Sequence, residues 1–393
     1  MAKIFPFKAI RPVVNKVHLI TTRSYISYTK AQLKRKLASN PFSFIHVLNP
    51  ELPTPNVSLK EKFKQVGRSF NVFLGKKYFL EEEIPSFYLY QQEHEGNSFT
   101  GIVSLVSLED YKNSIIKKHE LTLELREEMF KDYLSETQIH AEPVLLTYRG
   151  KKEIKELIEN STKNTPIYDF VTHDEVLHKV WKIDDITTIE VLQNKFSDIS
   201  SLYIADGHHR SASSLRLYED FKNEKYSKFL SLLIADDELN IKGYHRIIDL
   251  NKLSVDEFLK LFEKHYSIEE VGHSVIKNNL NTFLFANQNW HEVKPKEKIE
   301  LLPVEYFTLK IIEQELKIKN VRSSKRLRYI DSSVSISEFE QQVSKNNNAI
   351  GLVLPALTTE QLMKVSDENK TLPPKSTWIE PKLRSALLIY KYE

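Results

Sequence analysis

The chain contains no cysteine. That absence excludes disulfides, zinc–thiolate sites, iron–sulfur clusters and cysteine nucleophiles together. Any metal must then sit on His, Asp, Glu or water. Glycine is scarce too, at 9 residues in 393, so Gly-rich phosphate loops and flexible linkers are few. No stretch approaches the roughly 20 apolar residues that span a bilayer. The opening residues Met1-Ala2-Lys3-Ile4-Phe5-Pro6-Phe7 lack the apolar run of a secretory signal. A soluble, cytoplasmic protein with no membrane partner is expected. Charge of one sign is also missing: 56 basic residues face 53 acidic ones, a net +3. Nothing resembles the basic stripe of a nucleic-acid binder, and no nucleic-acid partner is expected.

What is present is ample apolar material, at 41% of residues, enough for two or three domains. Strand and helix patterns are mixed throughout, which predicts an α+β fold. Three regions are expected, 1–105, 106–250 and 251–393. In the first, Lys30 to Leu37 reads as a helix and Ser43 to Leu48 as a strand. Phe87 to Tyr90 and Gly101 to Val106 read as a hairpin around a polar loop. In the second, Leu121, Leu125, Met129 and Tyr133 recur every four residues and predict a helix with one buried stripe. Pro143 to Tyr148, Ser201 to Ala205 and Phe229 to Ala235 read as strands, the last central in a sheet. Ile241 to Leu250 reads as another. In the third, Ser254-x-x-Glu257 and Thr358-x-x-Gln361 read as capping boxes. Ile350 to Leu354 and Ser385 to Tyr390 read as strands.

The strongest chemical signal is Asp206-Gly207-His208-His209-Arg210. A buried strand ends, Gly207 permits a tight turn, and a helix starts near His209. Free N–H groups at a helix N-terminus attract anions, phosphate above all. Arg210 adds a charged fork matched to phosphate oxygens. His208 and His209 add donors or a general acid/base. Asp206 suits orienting a histidine, taking a proton or holding Mg²⁺. The bland alternative is an ordinary helix start with solvated polar residues.

Other segments are weaker alone. Glu120, after Lys117-Lys118-His119, reads by itself as a helix-start dipole partner. Pro374-Lys375-Ser376-Thr377 offers a cation and two hydroxyls on a stiffened backbone, yet a loop of this kind is more often merely solvated. His178 reads as a satisfied structural histidine. His245-Arg246 suits either a site or a surface role. Arg322, Lys325, Arg326 and Arg328 read as a solvated basic face. A tight zinc site is disfavoured, because the adjacent His208 and His209 diverge and no HExxH spacing occurs.

Gly207-His208-His209-Arg210-Ser211-Ala212 resembles the Gly-x-His-Arg-x-Ala signature of the ParB/sulfiredoxin superfamily, whose turn cradles nucleotide phosphates. The likeness is sharpest to the free serine kinases, which carry a His-Glu motif, an Asp-Gly-x-His-Arg turn and a late Pro-Lys-Thr-Thr-like loop. Here His119-Glu120, Asp206 to Arg210 and Pro374 to Thr377 follow in that order. As a whole the chain resembles a large uncharacterised bacterial and archaeal family related to those kinases. The stretches Asn40 to Val47, Ile116 to Thr122 and Pro373 to Thr377 carry that likeness.

The resemblance implies a ParB/sulfiredoxin-like mixed α/β core with additional N- and C-terminal α/β elements. It implies phosphotransfer on a small hydroxyl amino acid, serine or phosphoserine, with ATP or ADP and Mg²⁺ as cofactors. Glu120 would be the base, assisted by Asp206, as metal ligand or proton acceptor, and by His208. Gly207, His208, His209 and Arg210 would hold the phosphate. His119, Lys375, Ser376 and Thr377 would bind the substrate. Two departures stand out. Thr22-Arg23-Ser24-Tyr25-Ile26 replaces an acidic Pro-Pro-Tyr-Asp-like segment, and Trp378 replaces a basic residue. The competing expectation is a nucleotide-binding switch without metabolic turnover. The sequence leaves the oligomeric state open, a homodimer included.

Overall fold

Alternating apolar runs and turn residues dictate a fold of mixed sheets with covering helices, and the α+β class follows from it. The computed structural model describes residues 1–50, 57–277 and 281–393. They divide into two units, 1–239 with 381–393, and 240–380. The divisions expected at 105/106 and 250/251 fall elsewhere. Position 105 lies inside the strand Asn97–Ser107, which pairs with Phe87–His94 on one side and Lys228–Ala235 on the other. One sheet therefore joins the first hundred residues to those that follow. The last residues also return to this unit, where Tyr390–Lys391 pairs with Ile139–His140.

The large sheet of the first unit runs Ile116–Lys117, Leu202–Asp206, Val144–Tyr148, Lys228–Ala235, Asn97–Ser107, Phe87–His94, Leu177–Ile183, Tyr168–Val171. Its centre is Lys228–Ala235, where Phe229, Leu230, Leu232, Leu233 and Ile234 are all buried. Such a run, apolar at successive positions, is what a strand covered on both faces requires. Two neighbouring pairs are parallel, Leu202–Asp206 with Ile116–Lys117 and Lys228–Ala235 with Val144–Tyr148. The expected hairpin is present but tighter than a polar loop. Glu95 and Gly96 both take positive φ, 50° and 77°, which suits a two-residue hairpin turn.

The second unit is built on an antiparallel sheet ordered Tyr266–Val271, Asn289–Pro295, Thr282–Ala286, Ala349–Val353, Tyr244–Asp249, Leu327–Asp331. One face packs on Phe258, Phe262, Phe307 and Ile311. The other packs on Trp290, Phe339 and Val343. Both capping boxes form: Ser254 with Glu257, and Thr358 with Gln361.

Three local expectations change. Residues 43–48 form a helical turn, Ile45–Leu48, because Phe44, Ile45 and Val47 are all buried and a helix can turn them to one core. Ile241 to Leu250 splits into Asn240–Lys242 and Tyr244–Asp249. Of the closing strand only Tyr390–Lys391 is extended in a ladder; Ala386 takes φ 63° and breaks the run.

Candidate functional site

Leu202–Asp206 is buried for its first four residues and opens at Asp206. It lies parallel to Ile116–Lys117, with Leu202 opposite Ile116 and Tyr203 opposite Lys117. Parallel strands end at the same edge, which is where ligands bind in such sheets. One strand leads into His119-Glu120 and the other into Gly207-His208. The pairing therefore joins segments far apart in the chain. The His119 and His208 rings meet edge to face, 4.5 Å between centroids and 87° between planes. On its other side Leu202–Asp206 pairs antiparallel with Val144–Tyr148, and that register slips between Ile204 and Asp206. A slip of this kind re-aims the side chain beyond it.

Gly207 makes the turn at φ 106°, ψ 25°. A Cβ there would lie 3.1 Å from Arg210 Nε, so glycine answers both a backbone and a space demand. The helix His208–Phe221 follows with no side-chain cap. Its first turn presents backbone N–H groups and the positive end of the helix dipole.

The histidines of this unit differ sharply. His178 is buried, but Tyr90 and Thr172 hydroxyls lie 2.9 and 3.2 Å from its ring nitrogens. It is the satisfied structural residue expected. His140 pairs with the Tyr392 hydroxyl at 2.6 Å. His119 and His208 are equally buried, yet neither ring nitrogen of His119, nor Nε2 of His208, has a hydrogen-bond partner. Burial pushes the His119 pKa down to about 4. Burial, then the neighbouring His119, His209, Lys118 and Arg210, holds His208 well below the ordinary imidazole range. Both rings are neutral at pH 7, each with one donor and one acceptor nitrogen. They can steer a proton or bond a ligand, but they bring no positive charge to a phosphate.

Arg210 also departs from expectation. Its Nη1 donates to the Pro143 carbonyl and lies 3.0 Å from Glu142 Oε1. Its Nη2 donates to Asp206 Oδ2 at 3.0 Å. Glu142 is itself fixed, accepting from the Ser385 hydroxyl at 3.0 Å. The guanidinium is thus engaged by two carboxylates and a carbonyl. It orients Asp206 and Glu142 rather than presenting an open fork. Glu142 escaped sequence reasoning because it enters through an antiparallel neighbour: the start of Val144–Tyr148 meets the end of Leu202–Asp206. A Glu-Pro dipeptide just before a strongly apolar strand was the available signal.

Glu120 is half-buried and lies in a bend between Ile116–Lys117 and the helix Glu124–Thr137. It does not start that helix. The expected stripe fails at its first half, since Leu121 is 52% and Leu125 86% exposed. The helix is tied instead by charge: Arg216 bonds Glu127 and Glu128, and Lys131 bonds Asp220 at 2.7 Å. The Leu123 N–H donates to His209 Nε2 at 3.2 Å, which puts that imidazole proton on Nδ1 and pins the bend to the turn.

Lys375, Ser376 and Thr377 lie in the second unit. Lys375 takes φ 56°, and its Nζ lies 3.3 Å from the Tyr244 hydroxyl, which accepts from it. The buried Ser376 hydroxyl donates to the Pro373 carbonyl at 2.6 Å. Among the described residues no group of three or more His, Asp or Glu side chains is placed to hold a metal ion. Asp206 contributes one carboxylate, already bonded to Arg210. It fits Mg²⁺ only alongside oxygens from a ligand. No described helix is long and apolar enough to cross a membrane.

A turn of this geometry, backed by a mixed sheet, defines an α+β protein with an uncapped strand–helix junction at Gly207. Residues 4–328 match the family described as Protein of unknown function (DUF1015), and the chain belongs to that family. No curated protein matches it in sequence. Among solved structures it is similar to SbnI with a C-terminal truncation from Staphylococcus aureus, at 12% identity, over 72% of this chain and 85% of that one, with a TM-score of 0.42. A free serine kinase in complex with AMP is similar at 12% identity, over 74% of this chain and 91% of that one, with a TM-score of 0.40. A conserved hypothetical protein from Pyrococcus furiosus is similar at 14% identity, over 72% and 95%, with a TM-score of 0.35.

Proposed function

We propose that this protein transfers a phosphoryl group to or from a small hydroxyl amino acid, serine or phosphoserine, with ATP or ADP as the nucleotide. One observation supports the reading: the strand before His119 runs parallel to the strand before Asp206, and the His119 and His208 rings meet with centroids 4.5 Å apart. Phosphoryl transfer asks for positioning and charge neutralisation more than covalent chemistry.

In the kinase direction the serine hydroxyl oxygen bonds to the terminal phosphorus of the nucleotide. The bond from that phosphorus to the bridging oxygen breaks, and the hydroxyl proton passes to Glu120. The N–H groups after Gly207 receive the transferring phosphate oxygens. His208 and His209 add hydrogen bonds. Arg210 holds Asp206 in place, and Asp206 would share Mg²⁺ with the nucleotide, which supplies charge neutralisation. His119 is assigned the grip on the amino acid or its phosphate. The reverse and hydrolytic reactions use the same groups.

Purified full-length protein with Mg²⁺, incubated with serine plus ATP or ADP and separately with phosphoserine, is followed by ³¹P NMR. Interconversion of serine and phosphoserine, or release of phosphate, is expected. Nucleotide binding without turnover in either direction would instead favour a switch and remove the enzymatic reading.

A further inference from the structure

A second constellation lies wholly within residues 240–380 and is independent of the proposed phosphotransfer. Arg246 is 0% exposed. None of its three guanidinium nitrogens has a hydrogen-bond partner. It stands in the strand Tyr244–Asp249, directly opposite Tyr329 on one neighbour and Leu352 on the other. The guanidinium carbon lies over two aromatic rings, 5.7 Å from the Tyr329 centroid and 6.0 Å from that of Phe307.

Nearby hydroxyls are turned elsewhere. Tyr329 donates to the Val321 carbonyl at 3.1 Å and Thr308 to the Val304 carbonyl at 2.7 Å. The titratable groups acting on Arg246 are Tyr329 and Tyr266; no carboxylate does so. Burial lowers its pKa to about 10, so it stays charged at neutral pH and cannot shed the problem with a proton. A buried guanidinium with five unused donors is costly unless an acceptor meets it. A second feature adjoins it. Directly after Phe307 the chain winds as a π-helix, Thr308–Glu315, a rare geometry that recurs at functional sites.

We propose that Arg246 anchors an oxyanion-binding site inside this unit, taking a small ligand through a carboxylate or phosphate group. The chemistry follows from the geometry. The guanidinium donors are unused by the protein, which leaves them to bind. Those donors match a pair of coplanar oxygens in bidentate fashion.

The test uses the full-length chain and the arginine Nε–Hε NMR signals, with the Arg246 peak assigned by its loss in Arg246→Met. Arg246→Lys gives the same assignment should the Met variant fail to fold. Sodium formate and sodium phosphate are titrated separately in chloride-free buffer. A saturable shift of the Arg246 peak with either salt supports the site, formate alone marking a carboxylate ligand and phosphate alone a phosphate ligand. An Arg246 peak that moves with neither salt overturns it. The Arg210 peak, assigned in the same way, reports the first unit separately, so a failure at one site is not mistaken for a failure at the other.

Discussion

Each unit holds an arginine that matters, and the two are arranged in opposite ways. Arg210 is partly exposed and locked between Asp206 and Glu142. Arg246 is wholly buried and unbonded. One has more carboxylates than it needs, so it acts as a brace. The other has none, so its charge is unspent. A charged side chain therefore reports on function through its partners rather than its identity. The same contrast applies to the histidines, where His178 is bonded and His119 is not.

The largest way to break the comparison is acid. His119, His140 and His178 have pKa values pushed down to about 4, 3 and 3 from an ordinary 6.5. The second unit has His245, at about 4. The unfolded chain binds these protons first, so stability is full above pH 6.5 and is lost as pH falls toward the folded values. Each such histidine removes about 1.4 kcal/mol per pH unit in that window. Segment-resolved hydrogen exchange at pH 7 and pH 5 should show the first unit losing more protection. Equal losses would contradict the contrast.

Next in size is Arg246→Met. Replacing a buried unpaired cation with an apolar chain of similar volume should stabilise the unliganded protein by about 1–4 kcal/mol. Urea unfolding of the second unit measures it, and a clear loss of stability would mean that Arg246 has a structural partner. Gly207→Ala should destabilise by about 1–2 kcal/mol, since an alanine would have to hold a left-handed backbone. It should also disturb the Arg210 brace, visible as a shifted Arg210 Nε–Hε signal. The smallest effect is Leu125→Ser, at 86% exposure, expected within about 0.5 kcal/mol by thermal unfolding. A larger cost would restore the buried stripe.

Local features were legible in sequence because their causes are local. The strand, Gly207 and the helix after it form within twenty residues, and both capping boxes depend on residues three apart. The helix expected to begin at Leu121 was misread because leucines spaced by four imitate a buried stripe. Arg216 and Asp220, which tie that helix through Glu127 and Lys131, come from the helix His208–Phe221. Glu142 was invisible because antiparallel pairing delivers it. Arg246 was left between a site and a surface role because a cation beside His245 carries no signal of burial; its neighbours Phe307 and Tyr329 are more than sixty residues away in sequence.

The most direct test of the central claim is Glu120→Gln, compared with wild type by ³¹P NMR for serine–phosphoserine turnover and by calorimetry for nucleotide binding. Glu120 as the proposed base predicts a loss of about 10²- to 10⁴-fold in turnover with nucleotide affinity retained. Unchanged turnover in Glu120→Gln would contradict it.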